Sequence, residues 1–159
     1  MYARRYDAQG VALGDRFLVN TTVLGYQSES ALVMSASGDF VVSWAGNGSN
    51  DSYGIFARRY DSSGTALGSE FRVNTTTDLI QQRPVLAMDS GGNWLAVWQS
   101  FGQDGDAYGV YAQRFTNPGG VVTPVIVGPT ITRVSAHSEP LKANQGLLAP
   151  VTELVVTFS

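Results

Sequence analysis

Cysteine is absent from the 159 residues, which excludes a disulfide framework, thiolate chemistry and a cysteine-based metal cluster. Lysine occurs once, the ten basic residues never form a run, and the formal net charge is -3. Attraction to nucleic acid or to an anionic membrane surface through bulk charge is therefore not expected. No uninterrupted apolar stretch reaches the length of a membrane span, and the opening MYARRYDAQG holds no apolar segment of signal-peptide type. Histidine also occurs once, as His137 in SAHSEP, with no cysteine and no evident base partner for nucleophilic chemistry. A carboxylate pair for glycoside hydrolysis would have to come from Glu29, Glu70, Glu139 and Glu153. Glu29 and Glu70 stand in different parts of a repeated unit, and neither recurs in the next copy. The expectation is a protein without catalytic activity.

What the sequence does hold is 43% hydrophobic residues, 18 glycines and only 14% charged residues. That balance argues against disorder and, with abundant Val, Thr, Ser and Asn, for an all-β chain with many turns. Its organisation is repetitive. A shift of 54 positions lays YARRYDAQGVALGDRFLVNTT over FARRYDSSGTALGSEFRVNTT, and the register continues through Gln27 over Gln81, Met34 over Met88, Gly38 over Gly92 and Trp44 over Trp98. Agreement over more than forty residues marks an internal repeat. Beyond the tryptophans the second copy is one residue longer, in a Gly/Asp/Ser-rich loop where added length costs little.

Each unit contains four strand candidates: SALVMS or RPVLAMD, FVVSW or NWLAVW, YGIFARRYD or YGVYAQRF, and RFLVN or EFRVN. In NWLAVW both alternating faces are apolar, which predicts cover on both sides. In IFARRY both faces are mixed, as expected nearer a sheet margin where arginine lays its methylenes over a neighbour. Four-stranded units that need cover on both faces predict propeller-like blades of about 54 residues, here in an incomplete array. The array spans 1-128, with a partial unit at 2-20, a full unit at 28-74 and a partial unit at 83-128. From 129 to 159 the pattern changes, and ITRVSA and ELVVTF predict part of a sandwich-like domain.

The motif YGVYAQRF, with DSSGTALGSEFRVNTTT at 61-77 and the apolar strand ending in Trp98, resembles a repeat of very large secreted or surface bacterial proteins often called calcium-binding, haemolysin-like or repeat-containing. The tail resembles the start of a bacterial immunoglobulin-like module. The resemblance implies an extracellular or cell-surface, multidomain and noncatalytic setting, with neighbouring domains of a larger chain as partners. MDSGGNW at 88-94 partly resembles the Asp-box turn of sialidase-like propellers, through Asp89, Gly91 and Trp94, and implies a structural Asp89.

Two sets of residues stand out as candidate sites. Asp104 and Asp106 in FGQDGDAYG, with Asn47, Asn50 and Asp51 in the matching loop, offer oxygen ligands of the kind Ca²⁺ takes, although the twelve-residue calcium loop is missing. Arg5, Arg59 and Arg114 recur beside aromatics, a pairing that could contact a surface glycan or a carboxylate. The expected function is a structural or adhesive repeat segment, with a carbohydrate- or calcium-binding module as the alternative. Strand edges left by incomplete units also predict pairing between copies into a homo-oligomer.

Overall fold

The computed structural model describes residues 1–48 and 50–116 in full and, further along, the backbone of residues 124–125, 129–136, 139–140 and 153–158. Two units result, Met1–Ile126 and Val127–Ser159. The first unit holds three sheets. β1 (Tyr2–Ala3) pairs antiparallel with β2 (Phe17–Leu18). β3 (Gln27–Met34), β4 (Phe40–Gly48), β5 (Asp51–Tyr60) and β6 (Phe71–Arg72) follow as a four-stranded antiparallel meander. β7 (Gln81–Met88), β8 (Trp94–Phe101), β9 (Tyr108–Phe115) and β10 (Pro124–Val125) form a second sheet in the same strand order. The two meanders agree in detail: each has a register shift in its first strand pair, between Ser28 and Ala31 and between Gln82 and Val85. Glu29 and Arg83 sit in those bulges with positive φ of 51° and 56°, a conformation that side chains rarely adopt outside such irregularities.

Alternation along the strands produces two chemically different faces. Phe40, Val42 and Trp44 of β4 point one way and pack with Phe56, Tyr60 and Val19, with Phe17 of β2 against them. Val41 and Ala45 point the other way, join Ile55 and Ala57, and meet Trp94, Ala96 and Trp98 of β8 and Phe115 of β9. The central sheet is thus covered on both faces, and β4 is buried from Phe40 to Gly46. An aromatic triad closes each contact. Phe17, Phe40 and Tyr60 form one, with Phe40 and Tyr60 stacked at 5.0 Å and Phe17 tilted 5.3 Å from Tyr60. Phe71, Trp94 and Phe115 form the other, with Trp94 and Phe115 stacked at 4.0 Å and Phe71 tilted 5.8 Å from Phe115. In both, one ring comes from the last strand of a sheet and two from the next sheet.

Three expectations from the sequence are corrected. The sheets are open and do not close into a propeller, because no ring of neighbours covers the outermost faces. Tyr2 and Tyr6 lie exposed beyond β1–β2, and Leu95 and Val110 lie exposed beyond β7–β10. For the same reason NWLAVW is covered on one side only: Trp94, Ala96 and Trp98 are buried, whereas Leu95 is exposed and Val97 half-buried. Two-sided cover belongs instead to FVVSW. In the second unit, β11 (Pro129–Ala136) pairs with β12 (Glu139–Pro140) on one side and β13 (Glu153–Phe158) on the other. These strands make one three-stranded sheet, and a sandwich or immunoglobulin-like module needs a second sheet facing it, which is absent among the described residues.

The two faces of β8 predict unequal costs of truncation. Trp94→Ala should destabilise the protein by about 3–5 kcal/mol and Leu95→Ala by less than about 0.5 kcal/mol, read from the midpoints of urea denaturation. Equal costs in the monomer would mean that the chain itself buries the outer face of β8.

Candidate functional site

The sequence-selected residues lie at sheet ends and in the grooves between sheets. Arg5 borders a groove of about 250 Å³ between β1–β2 and the central sheet, together with Tyr6, Leu32, Met34 and Ser62. Its stem rests on the turn of the following unit: a Cβ added at Gly64, whose φ is 86°, would lie 2.8 Å from Arg5 Cδ. Arg59 takes the matching place in the next groove, about 310 Å³, between the β3–β4 turn at Ser35–Asp39 and the β7–β8 turn at Ser90–Gly92. Arg114 lies 3.9 Å from Asp89 with both side chains about half exposed, a geometry in which an ion pair contributes little. Each groove is lined by one of the three arginines, so they are not gathered into a single site.

The neighbouring arginines have clearer tasks. Arg4 Nε donates to the Gly14 carbonyl at 2.9 Å and Arg58 Nε to the Gly68 carbonyl at 3.0 Å, which holds each DxxGxxLG loop against its own strand. Arg58 Nη1 also donates to the Val19 carbonyl at 3.1 Å, where the Tyr60 hydroxyl donates at 2.8 Å. The repeated aromatic-basic-aromatic string therefore lashes one sheet to the sheet before it.

The acidic loop is organised locally. Asp104 Oδ1 accepts the Asp106 amide at 3.4 Å, and Asp106 Oδ1 accepts the Ala107 amide at 2.8 Å. Desolvation together with the charge and hydrogen bond of Asp104 pushes the Tyr111 phenol above its ordinary value. In the matching loop Asn47 Oδ1 accepts the Tyr26 amide at 2.7 Å, and Asp51 is buried against Asn74. Among the described residues no three His, Cys, Asp or Glu side chains gather into a metal-holding group. His137 lies outside the described residues, and the side chains of Glu139 and Glu153 are likewise not described.

Glu70 and Glu29 hold units together. Glu70 accepts the Thr21 amide at 2.6 Å, the Thr22 amide at 3.1 Å and the Thr22 hydroxyl. Burial pushes its carboxyl up, but the Thr22 hydroxyl and the two amides outweigh this and hold it below its ordinary value. Glu29 Oε2 accepts the Arg83 amide at 2.7 Å, linking the two equivalent bulges of successive sheets. The aspartates at 7, 61 and 89 each fold a turn by accepting amides two and four residues on: Gln9 and Val11, Ser63 and Thr65, Gly91 and Asn93. The Ser63 hydroxyl foremost, with the Thr65 amide, keeps Asp61 below its ordinary value, and the Asn93 side chain foremost does so for Asp89.

A buried polar chain was not foreseen from the sequence. Asn74 Oδ1 accepts the Ile55 amide at 2.7 Å, and its Nδ2 donates to Asp51 Oδ2 at 3.0 Å and to Gln81 Oε1 at 3.2 Å. Gln81 Nε2 then donates to the Asp78 carbonyl at 2.8 Å and reaches Ser100 Oγ at 3.4 Å. Asn20 and Gln27 repeat part of it: Asn20 Oδ1 accepts the Met1 amino group at 2.5 Å, and Gln27 Nε2 donates to the Leu24 carbonyl at 2.9 Å. The signal was present in the recurrence of Asn20 as Asn74 and of Gln27 as Gln81 at the repeat spacing of 54.

No family model, no curated protein and no solved structure matches the chain, so the resemblance to bacterial surface repeats gains no support from comparison. Among the described residues no helix is long and apolar enough to cross a membrane.

The three lowered carboxyls set the sign of the acid response. Groups whose folded pKa is depressed contribute stability that is present above the unfolded value of about 4 and is lost as pH falls through the lower folded value. Stability should therefore decline as pH drops below about 4, and Glu70→Gln should both lower the neutral-pH stability and flatten that decline. Urea unfolding repeated across the acid range measures it, and an unchanged slope in the variant would remove Glu70 from the account.

Proposed function

We propose that the chain is a noncatalytic structural segment, in which successive β-meanders stack to form a scaffold and the polar side chains serve the stacking. One observation carries this reading: the buried chain from Asp51 through Asn74 and Gln81 to Ser100 spans two sheets, and its members are spent on one another and on backbone groups. Buried polar groups arranged so fix the register of one sheet on the next, because breaking any link strands the remainder in a low dielectric. The carboxylates best suited by type to acid–base work, Glu29 and Glu70, are taken up by backbone amides of the adjoining unit.

Two measurements test the reading. Asn74→Ala leaves the Ile55 amide and the Asp51 carboxylate without their partner and should cost about 1–3 kcal/mol. Asn20→Ala, whose partner is the half-buried amino group of Met1, should cost no more than about 0.5–1.5 kcal/mol. Near-zero costs at both positions would contradict a structural role. Thermal unfolding in the presence of a panel of neutral and acidic sugars should show no change in midpoint. A saturable rise that Arg59→Ala abolishes would replace the scaffold reading by glycan binding in the groove beside the β3–β4 turn.

A further inference from the structure

The two ends of the stack are unlike, and Tyr2 and Tyr6 at one end stand where Phe56 and Tyr60 stand in the internal contact. Within the first unit, both contacts between sheets set the aromatic face of one sheet against the preceding sheet. Tyr60 is 2% exposed in such a contact, while Tyr6, at the same place in β1–β2, is 56% exposed. The opposite, aliphatic face shows the same contrast. Val41 is 2% exposed beneath the β7–β10 sheet, whereas its counterpart Leu95 is 37% exposed and Val110 is 70% exposed. One end of the stack therefore presents an uncovered aromatic face and the other an uncovered aliphatic face.

The aromatic end is also already in its docked geometry. Arg4 lies over the Tyr6 ring at 5.8 Å and Arg58 over the Tyr60 ring at 5.7 Å. Both arginines are pinned by Nε to a glycine carbonyl, Gly14 or Gly68. In the buried contact this pair delivers two further donors, Arg58 Nη1 and the Tyr60 hydroxyl, to one backbone carbonyl, that of Val19. At the open end the same pair is held alike, so little conformational entropy remains to be lost on docking.

We infer that a second copy of this chain docks head to tail, the aromatic face of its β1–β2 sheet covering the aliphatic face of the β7–β10 sheet. The partner follows from the internal contacts, which join the same two kinds of face twice over. Aromatic against aliphatic is a heterologous pairing, so assembly leaves one free face of each kind and continues into an open-ended series. The inference rests on the stacking reading proposed above.

Sedimentation velocity of the full chain over a range of concentrations tests it, with circular dichroism confirming that each variant is folded. Wild type should associate reversibly into dimers and longer species. Leu95→Lys with Val110→Lys should weaken self-association by about tenfold or more, as should Tyr2→Lys with Tyr6→Lys. Each double variant retains one competent face, so a mixture of the two should recover association but stop at a heterodimer. A wild-type chain that stays monomeric at every concentration overturns the inference, even if Asn74→Ala proves as costly as expected and the scaffold reading stands. Association abolished by the Leu95/Val110 pair but untouched by the tyrosine pair would instead show two aliphatic faces meeting each other, and would equally overturn it. Should either double variant fail to fold, the single changes Val110→Lys and Tyr2→Lys, both at exposed positions, decide the same question.

Discussion

The structure of the first unit depends on the ring triads that join one sheet to the next. In each, a phenylalanine from the closing strand of a sheet, Phe17 or Phe71, lies tilted against two stacked aromatic side chains of the following sheet. A two-stranded sheet such as β1–β2 is marginal by itself in water, and what holds it is the burial of Phe17 against Phe40 and Tyr60. The central sheet gains more, because its small aliphatic face receives the tryptophans of β8 while its aromatic face receives β2. Face chemistry thus decides which surfaces meet, and meeting surfaces decide which strands are buried on both sides.

Apolar packing alone does not set register, and here the polar groups do so. Asn74 ties the start of Ile55 to the loop that follows its own strand, and through Gln81 it reaches the next sheet. Glu29 bonds a backbone amide across the same boundary, and Glu70 does so across the boundary with β1–β2. A sheet displaced along its neighbour by one residue would bury several of these groups without partners, at about 1–3 kcal/mol each. Asp7, Asp61 and Asp89 fold turns, and Glu29 and Glu70 join units. The indole N–H groups of Trp44, Trp94 and Trp98 find no acceptor among the described residues, a cost offset by the large apolar area those rings bury.

Much of this was legible before any coordinates. A spacing of 54 fixes which residues are equivalent, and period-two alternation separates the two sides of each strand. The turn-forming aspartates are legible as well, since Asp followed by glycine and small polar residues is a turn signal with a mechanism. Alternation could not tell whether an apolar side would be covered. Trp94 and Leu95 are both hydrophobic, yet one is buried and the other exposed, because cover depends on whether another sheet lies beyond.

The sequence by itself determined the all-β character, the repeat, the strand order within each unit and the pairing of equivalent residues, all of which follow from local pattern and short connections. Tertiary structure alone decided that the sheets remain an open stack, that Arg5 and Arg59 line separate grooves while Arg114 lies beside Asp89, and that Asn74, Gln81, Glu29 and Glu70 join units. These outcomes turn on contacts between residues some twenty to fifty positions apart or on opposite sheets. Pattern along a strand reports which way a side chain points, and the energy of what it meets there is set by the neighbouring sheet.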